Sequence, residues 1–154
     1  MGFPRRYFEE NHNGPLSLVV NTERRVRFEE VDMLGIVWHG RYVSYFEDGR
    51  VAFGDRYGLS YNLYREMGIA APIVQMHVDY HAPLHFDEIM TITTTLHWCE
   101  SLRLNFEYRI TRGDVLAVRG YTVQLLTDLA GRMIIVPPEM VQAFRRAWQE
   151  GSIR

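Results

Sequence analysis

Residues 25–57 read RVRFEEVDMLGIVWHGRYVSYFEDGRVAFGDRY, and their periodicity decides the fold. Arg25, Val26, Arg27, Phe28 and Glu29 alternate polar and apolar, the period-two pattern of a half-buried strand. Gly35 breaks the chain just after Asp32. From His39 the period becomes helical: Tyr42, Phe46, Gly49, Phe53 and Tyr57 follow at spacings of 4, 3, 4 and 4. Those spacings share one face of a helix about 28 Å long. Gly49 inside that stripe costs about 1 kcal/mol of helix propensity against Ala, which predicts close approach of another backbone. The helix is expected to be enclosed.

Downstream, Gly58 is placed to stop this helix, and Ser60 to cap a short second one over residues 61–67 that Gly68 ends. The pattern then turns to β. Over residues 73–80, Val74, Met76, Val78 and Tyr80 alternate with Gln75, His77 and Asp79, until Pro83 interrupts. Met90, Ile92, Thr94, Leu96 and Trp98 form one row, and Leu102, Leu104, Phe106, Tyr108 and Ile110 the next, with a turn at Glu100-Ser101 between them. Each row alternates with polar residues, as in an antiparallel sheet with one apolar face. Arg112-Gly113-Asp114 turns the chain into a long strand over residues 115–127. Gly131 lies in a further turn, leading to residues 133–136. Pro137-Pro138 opens a terminal helix with Met140, Phe144, Ala147 and Trp148 as its apolar stripe. Upstream, residues 16–20 suit a short edge strand, and residues 1–15 form a poorly specified lead-in. No linker or repeat divides the chain, so a single domain over residues 1–154 is expected. One apolar sheet face and one apolar helix stripe bury each other most economically as a two-layer α+β domain, the sheet wrapped around the helix. The sheet's free edge suits pairing with a second copy.

Composition narrows the function classes. The 154 residues are 47% hydrophobic and 23% charged, ordinary for a globular chain. A net charge of -2 gives no bulk positive field for nucleic acid or an anionic membrane. All 17 basic residues are Arg, which excludes a lysine Schiff base or a P-loop lysine. Cys99 stands alone, so no intrachain disulfide forms, and a reducing cytoplasm is the expected compartment. No apolar run approaches the roughly 20 residues of a membrane span. The lead-in lacks an apolar signal core, and Arg6 stands where a myristoylation signal after Gly2 needs Ser or Thr.

The segment FEEVDMLGIVWHGRY, residues 28–42, resembles the active-site signature of hotdog-fold acyl-CoA thioesterases, of the 4-hydroxybenzoyl-CoA and Tol-Pal-associated group. Val78-Asp79-Tyr80-His81-Ala82-Pro83-Leu84, followed by Asp87, is similar to that family's strand-Pro-turn. Thr127-Asp128 through Gly131 to Val136-Pro137 is similar to its last hairpin. The resemblance implies hydrolysis of an acyl thioester to free acid and thiol, with Asp32 as nucleophile or general base. It places His39 at the helix start, where the main-chain N–H meets the oxyanion and the imidazole orients water or substrate. Substrate contacts are implied for Gly35, Ile36, Val37, Trp38, Arg41 and Tyr42, with Glu47 in a secondary role. Many relatives have Asn where this chain has Arg41; an outward Arg41 would instead meet a CoA phosphate. Neither cofactor nor metal is implied, CoA being part of the substrate. A homodimer, further paired into a tetramer, is implied too.

Each signal has a plainer reading. An Asp ahead of a helix is commonly a cap, and an aromatic stripe is commonly core. His77, Asp79 and His81 share a strand face, but His85 follows on a turn and no tight ligand spacing is present, so a metal site is not expected. His97 is expected to be solvated, and Cys99 lacks an activating neighbour. Gly58-Leu59-Ser60-Tyr61-Asn62 does not complete a nucleophile elbow. Two other functions fit the same fold: an acyl-CoA or acyl-carrier binding module without turnover, and a hydratase or dehydratase acting on an acyl thioester. Trp38, Tyr45 and Phe46 are candidates for lining an acyl pocket.

Overall fold

The computed structural model describes residues 6–154. Five strands, β1 (Leu18–Arg25), β3 (Ile73–Tyr80), β4 (Ile89–His97), β5 (Arg103–Arg112) and β6 (Val115–Leu125), form one antiparallel sheet in the order β1-β4-β5-β6-β3. The short β2 (Ile69–Ala70) and β7 (Thr127–Asp128) pair separately. The sheet curls around the long helix α1 (Tyr42–Tyr57), with α2 (Tyr61–Glu66) and α3 (Glu139–Gln149) at its far end. The helix-in-sheet arrangement expected from the patterning is present.

The α1 stripe is buried as its spacing requires: Tyr42, Phe46, Gly49 and Phe53 are in the core, with Tyr57 half-buried. Tyr45, Arg50 and Gly54 widen the buried face. Phe46 stacks on Tyr108 with centroids 4.3 Å apart, and Phe53 meets Phe106 edge-on at 5.1 Å. Gly49 is crowded by β4 side chains and not by the backbone expected: a Cβ there would sit 2.2 Å from Thr94 Oγ1 and 3.1 Å from Ile92 Cγ2. Gly120 of β6 is tighter: its Cβ would lie 2.4 Å from the His77 carbonyl oxygen and 2.6 Å from the Phe46 ring. Neither a backbone nor a buried ring can yield cheaply, so Gly120→Ala is expected to cost about 1–3 kcal/mol of stability by overpacking. A denaturant titration reads that loss directly. Arg50, buried with no carboxylate paired to it among the described residues, donates to the hydroxyls of Tyr61 (2.9 Å) and Tyr108 (3.0 Å). Burial pushes the Tyr108 phenol up to about 12, so it stays neutral and donates to or accepts from Thr122.

Several expectations are corrected. Residues 25–29 are not a strand: β1 ends at Arg25, and Phe28–Glu30 form a 3-10 turn because the Glu30 carboxylate accepts the Arg27 amide at 2.8 Å. The helix starting at His39 opens with a 3-10 turn, His39–Arg41, before α1 proper. The long strand expected over 115–127 breaks at Leu126, and its end, β7, pairs with β2 instead. Residues 133–136 make only the bridge Thr127–Met133, leaving Ile135 and Val136 in solvent. Of the expected α3 stripe, Trp148 is buried and Phe144 packs against the core, while Val141 is buried in addition and Met140 and Ala147 are only half-buried. Residues 6–15 of the lead-in lie across the outer face of the sheet; residues 1–5, including Gly2, lie outside the described residues. Tyr7 donates to Asp79, its ring lies under the Arg119 guanidinium at 4.2 Å, and Phe8 packs on His97 and Tyr121. His97 is therefore half-buried between Ser17 and Glu107, not simply solvated. Further along, the Trp148 indole N–H donates to the Leu16 carbonyl, 132 residues away, and meets Trp98 edge-on.

Of the row Val74, Met76, Val78 and Tyr80, only Val78 packs against the core of the protomer. Pairing with β6 places Met76, Val78 and Tyr80 on the inner side of the sheet, yet Val74 and Tyr80 are each 54% exposed. β3 is an edge strand whose apolar row lacks cover.

Candidate active site

Asp32 lies in a small hairpin folded against the start of α1. The Asp32 amide donates to Ile36 O (2.9 Å), Gly35 N–H returns to Asp32 O (3.0 Å), and Val31 faces Val37. Gly35 closes this turn at φ 73, a conformation that favours glycine. One carboxylate oxygen of Asp32 accepts the Leu34 amide at 2.8 Å. That contact fixes the side chain as an Asx turn and leaves the second oxygen for chemistry. The side chain is half-buried, while Met33 and Leu34 beyond it are open to solvent.

The hairpin is held from behind by charge. Glu30, 2% exposed, accepts from the Arg24 guanidinium at 2.9 Å, and Arg24 also pairs with Asp48 of α1. The same guanidinium lies 4.8 Å from the Tyr45 ring centroid. The Glu30 carbonyl accepts the Trp38 amide (3.0 Å), and Val37 N–H donates to Leu84 O (2.8 Å). Strand, loop and helix are thus tied at one point. Burial and the Glu30 carboxylate push the Tyr45 phenol up; burial does the same to Tyr42, against a hydrogen bond to the Leu84 backbone.

The residues expected to form the site converge only in part. His39 and Gly40 open the helical run, where the first amides have no intrahelical carbonyl and the dipole is positive. The His39 carbonyl accepts from Tyr80 OH at 2.6 Å, which ties this helix start to the end of β3. The His39 ring is exposed and packs on Trp38, centroids 4.8 Å apart. Arg41 turns back to the Glu29 carbonyl (3.1 Å). Ile36 is half-buried and pairs with His85. Val37 and Tyr42 are core residues, as are Tyr45 and Phe46, so these four line no open surface of the protomer. Trp38 is 49% exposed, and Glu47 is exposed on α1, where Asp48 makes the ion pair instead. Glu30 and Arg24 were not singled out in the sequence; their signal is a buried acid two residues before Asp32, invisible without burial.

A cavity of about 650 Å³ lies elsewhere, on the outer sheet face beneath the lead-in, among Tyr7, His77, Asp79, Arg109, Arg119 and Tyr121. Asp32 and His39 take no part in it. Among the described residues no three His, Cys, Asp or Glu side chains are grouped to hold a metal ion, and no helix is long and apolar enough to cross a membrane.

Comparison with known proteins gives a consistent pattern. The family described as the thioesterase-like superfamily matches residues 26–144. Acyl-CoA thioesterase YbgC of Haemophilus influenzae is 25% identical over 123 residues, covering 78% of this chain and 90% of that protein. A hypothetical protein from Thermus thermophilus superposes with a TM-score of 0.75 at 31% identity, over 83% of this chain and 98% of the other. DHNA-CoA thioesterase from Staphylococcus aureus superposes with a TM-score of 0.74 at 25% identity, over 88% and 97%. The matched region holds the Asp32 hairpin, α1 and all of the main sheet but β1.

Proposed function

Because the chain belongs to the thioesterase-like superfamily, with the hotdog arrangement of sheet and helix, we propose that it hydrolyses an acyl-CoA to a carboxylic acid and CoA, with Asp32 as the reacting carboxylate. One observation carries this: a carboxylate with one oxygen bonded to the Leu34 amide sits in a hairpin leading into a helix start whose His39 and Gly40 amides have no backbone acceptor among the described residues. Asp32 either bonds to the thioester carbon or draws a proton from the attacking water. The His39 amide, with that of Gly40 beside it, stabilises the charge on the carbonyl oxygen. The names of the relatives support a CoA thioester as substrate. A single cysteine suits a reducing cytoplasm.

The test is thiol release from a panel of acyl-CoAs, aromatic and aliphatic, short to long. Turnover on one class is the expected result. A folded protein that binds acyl-CoA yet releases no thiol would replace this reading with a binding module, and a thioester consumed without thiol release would replace it with hydration.

The protomer is proposed to work as a homodimer, itself paired into a tetramer. The support is the open edge of β3, with Val74, Met76 and Tyr80 exposed and Tyr80 bonded to the His39 carbonyl at the site. A second β3 laid along that edge would cover the row and wall the space before Asp32. Sedimentation velocity at assay concentration should show no monomer; a fully active monomer would end the idea.

A further inference from the structure

A second titratable side chain stands in line with Asp32. In the hairpin Asp32 is opposite Ile36, and Ile36 is opposite His85 of the turn before β4. Residues directly opposite in an antiparallel ladder project to the same face. Asp32, Ile36 and His85 therefore form one row, and Val31, Val37 and Leu84 form the other. Burial agrees, since Val37 and Leu84 are in the core with Val31 packed against it, whereas Asp32 and Ile36 are half-buried and His85 is exposed. At about 4.8 Å per strand, the His85 backbone lies about 10 Å from that of Asp32. Two side chains projecting from the same solvent-facing row at that separation can flank a thioester group.

His85 is held for use. The Glu88 carboxylate lies 3.1 Å from its Nδ1 and accepts its main-chain N–H at 3.2 Å, while Glu88 N–H donates back to His85 O (3.2 Å). Arg112 Nε sits 3.5 Å from the same carboxylate. The turn is pinned to Val26 by two backbone hydrogen bonds, with Asp87 in the left-handed region at φ 69. A carboxylate at Nδ1 sets the tautomer and leaves Nε2 as the far, outward nitrogen.

Resting on the thioesterase reading above, we propose that His85 is a further catalytic residue, the acid that protonates the departing thiolate, with Glu88 as its positioning residue. Attack forms a C–O bond at the thioester carbon, from water as Asp32 takes its proton or from Asp32 itself. The tetrahedral intermediate then collapses: the C–S bond breaks, its electron pair leaves on sulfur, and the His85 imidazolium passes its Nε2 proton to that sulfur. The neutral imidazole recovers a proton from Asp32, or from the water that cleaves the acyl-aspartyl intermediate. No further reactant is needed.

The experiment compares one acyl group on two leaving groups, CoA and thiophenol, whose thiolate is stable enough to leave without an acid. With wild type, His85→Gln and Glu88→Gln, thiol release is measured on both esters. His85→Gln is expected to lose about 10²-fold on the CoA ester and to stay near wild type on the thiophenyl ester. Glu88→Gln should show a smaller loss with the same preference. Equal losses on both esters, or none, would overturn the role of His85 while leaving the thioesterase reading intact. A wild type that cleaves neither ester would overturn both.

Discussion

Asp32→Asn is expected to lower the rate of thioester hydrolysis by about 10²–10⁴-fold without unfolding the protein. Asn keeps the shape of Asp and retains a carbonyl oxygen for the Leu34 amide at the position now 2.8 Å away, so the Asx turn survives. What it loses is the charge, and with it both basicity and nucleophilicity. Positioned general bases contribute about 10²–10⁴-fold, so either role predicts a loss in this range. The Glu30–Arg24 anchor and the Val31–Val37 pairing lie behind the hairpin and are unchanged, so the melting temperature should match wild type. KM should move little if the carboxylate acts only on the reacting carbon. Steady-state kinetics beside thermal melts decide the matter. Full activity in a folded Asp32→Asn variant would falsify the assignment.

The second large effect concerns stability. Phe46 is fully buried, stacks on Tyr108 with an interplanar angle of 9°, and covers the bare backbone of Gly120. No smaller side chain fills that space, since Gly120 offers no atoms and β6 cannot approach further. Phe46→Ala should cost about 3–5 kcal/mol. That is a large share of the roughly 5–15 kcal/mol that a domain commands. The denaturant midpoint should fall with the slope unchanged, measured at equal protomer concentration because any self-association adds to apparent stability. A loss below about 1 kcal/mol would mean that the helix and sheet close over the gap, against the packing described.

How much could be read from the sequence follows from where the cause of each feature resides. The α1 stripe was legible because Tyr42, Phe46, Gly49 and Phe53 carry their own period, and the sheet rows of β4 and β5 likewise. The Arg25–Glu29 alternation misled because it says nothing of caps: Val26 and Glu30 are buried, four residues apart, while Phe28 is 78% exposed. A carboxylate accepting one amide outweighs the pattern. The apolar row of β3 was legible for Met76, Val78 and Tyr80, but Val74 falls at a register shift, and an edge position leaves Val74, Met76 and Tyr80 exposed, which alternation alone does not reveal. The lead-in gave no sign of its course because Tyr7 finds Asp79 across 72 residues. Asp32 and His39 were proposed from a motif; that Tyr42 is core, and that Arg24, Glu30 and His85 surround the hairpin, required the register of three segments remote in sequence.

The bond from Trp148 to the Leu16 carbonyl also bears on how the protein is made. A chain leaves the ribosome N-terminal end first, so Leu16 emerges long before the helix whose Trp148 bonds its carbonyl. β1 must wait for β4 to pair, and the Trp98 side of that pair must wait again for α3. Closing so wide a loop is entropically costly, and such topologies fold slowly. Until α3 arrives, the nascent sheet presents Leu18 and Trp98 as a greasy margin that chaperones or neighbouring polysomes can seize. A chain stopped just before Glu139 should therefore pellet to a greater extent than residues 1–154 when both are translated in vitro and centrifuged.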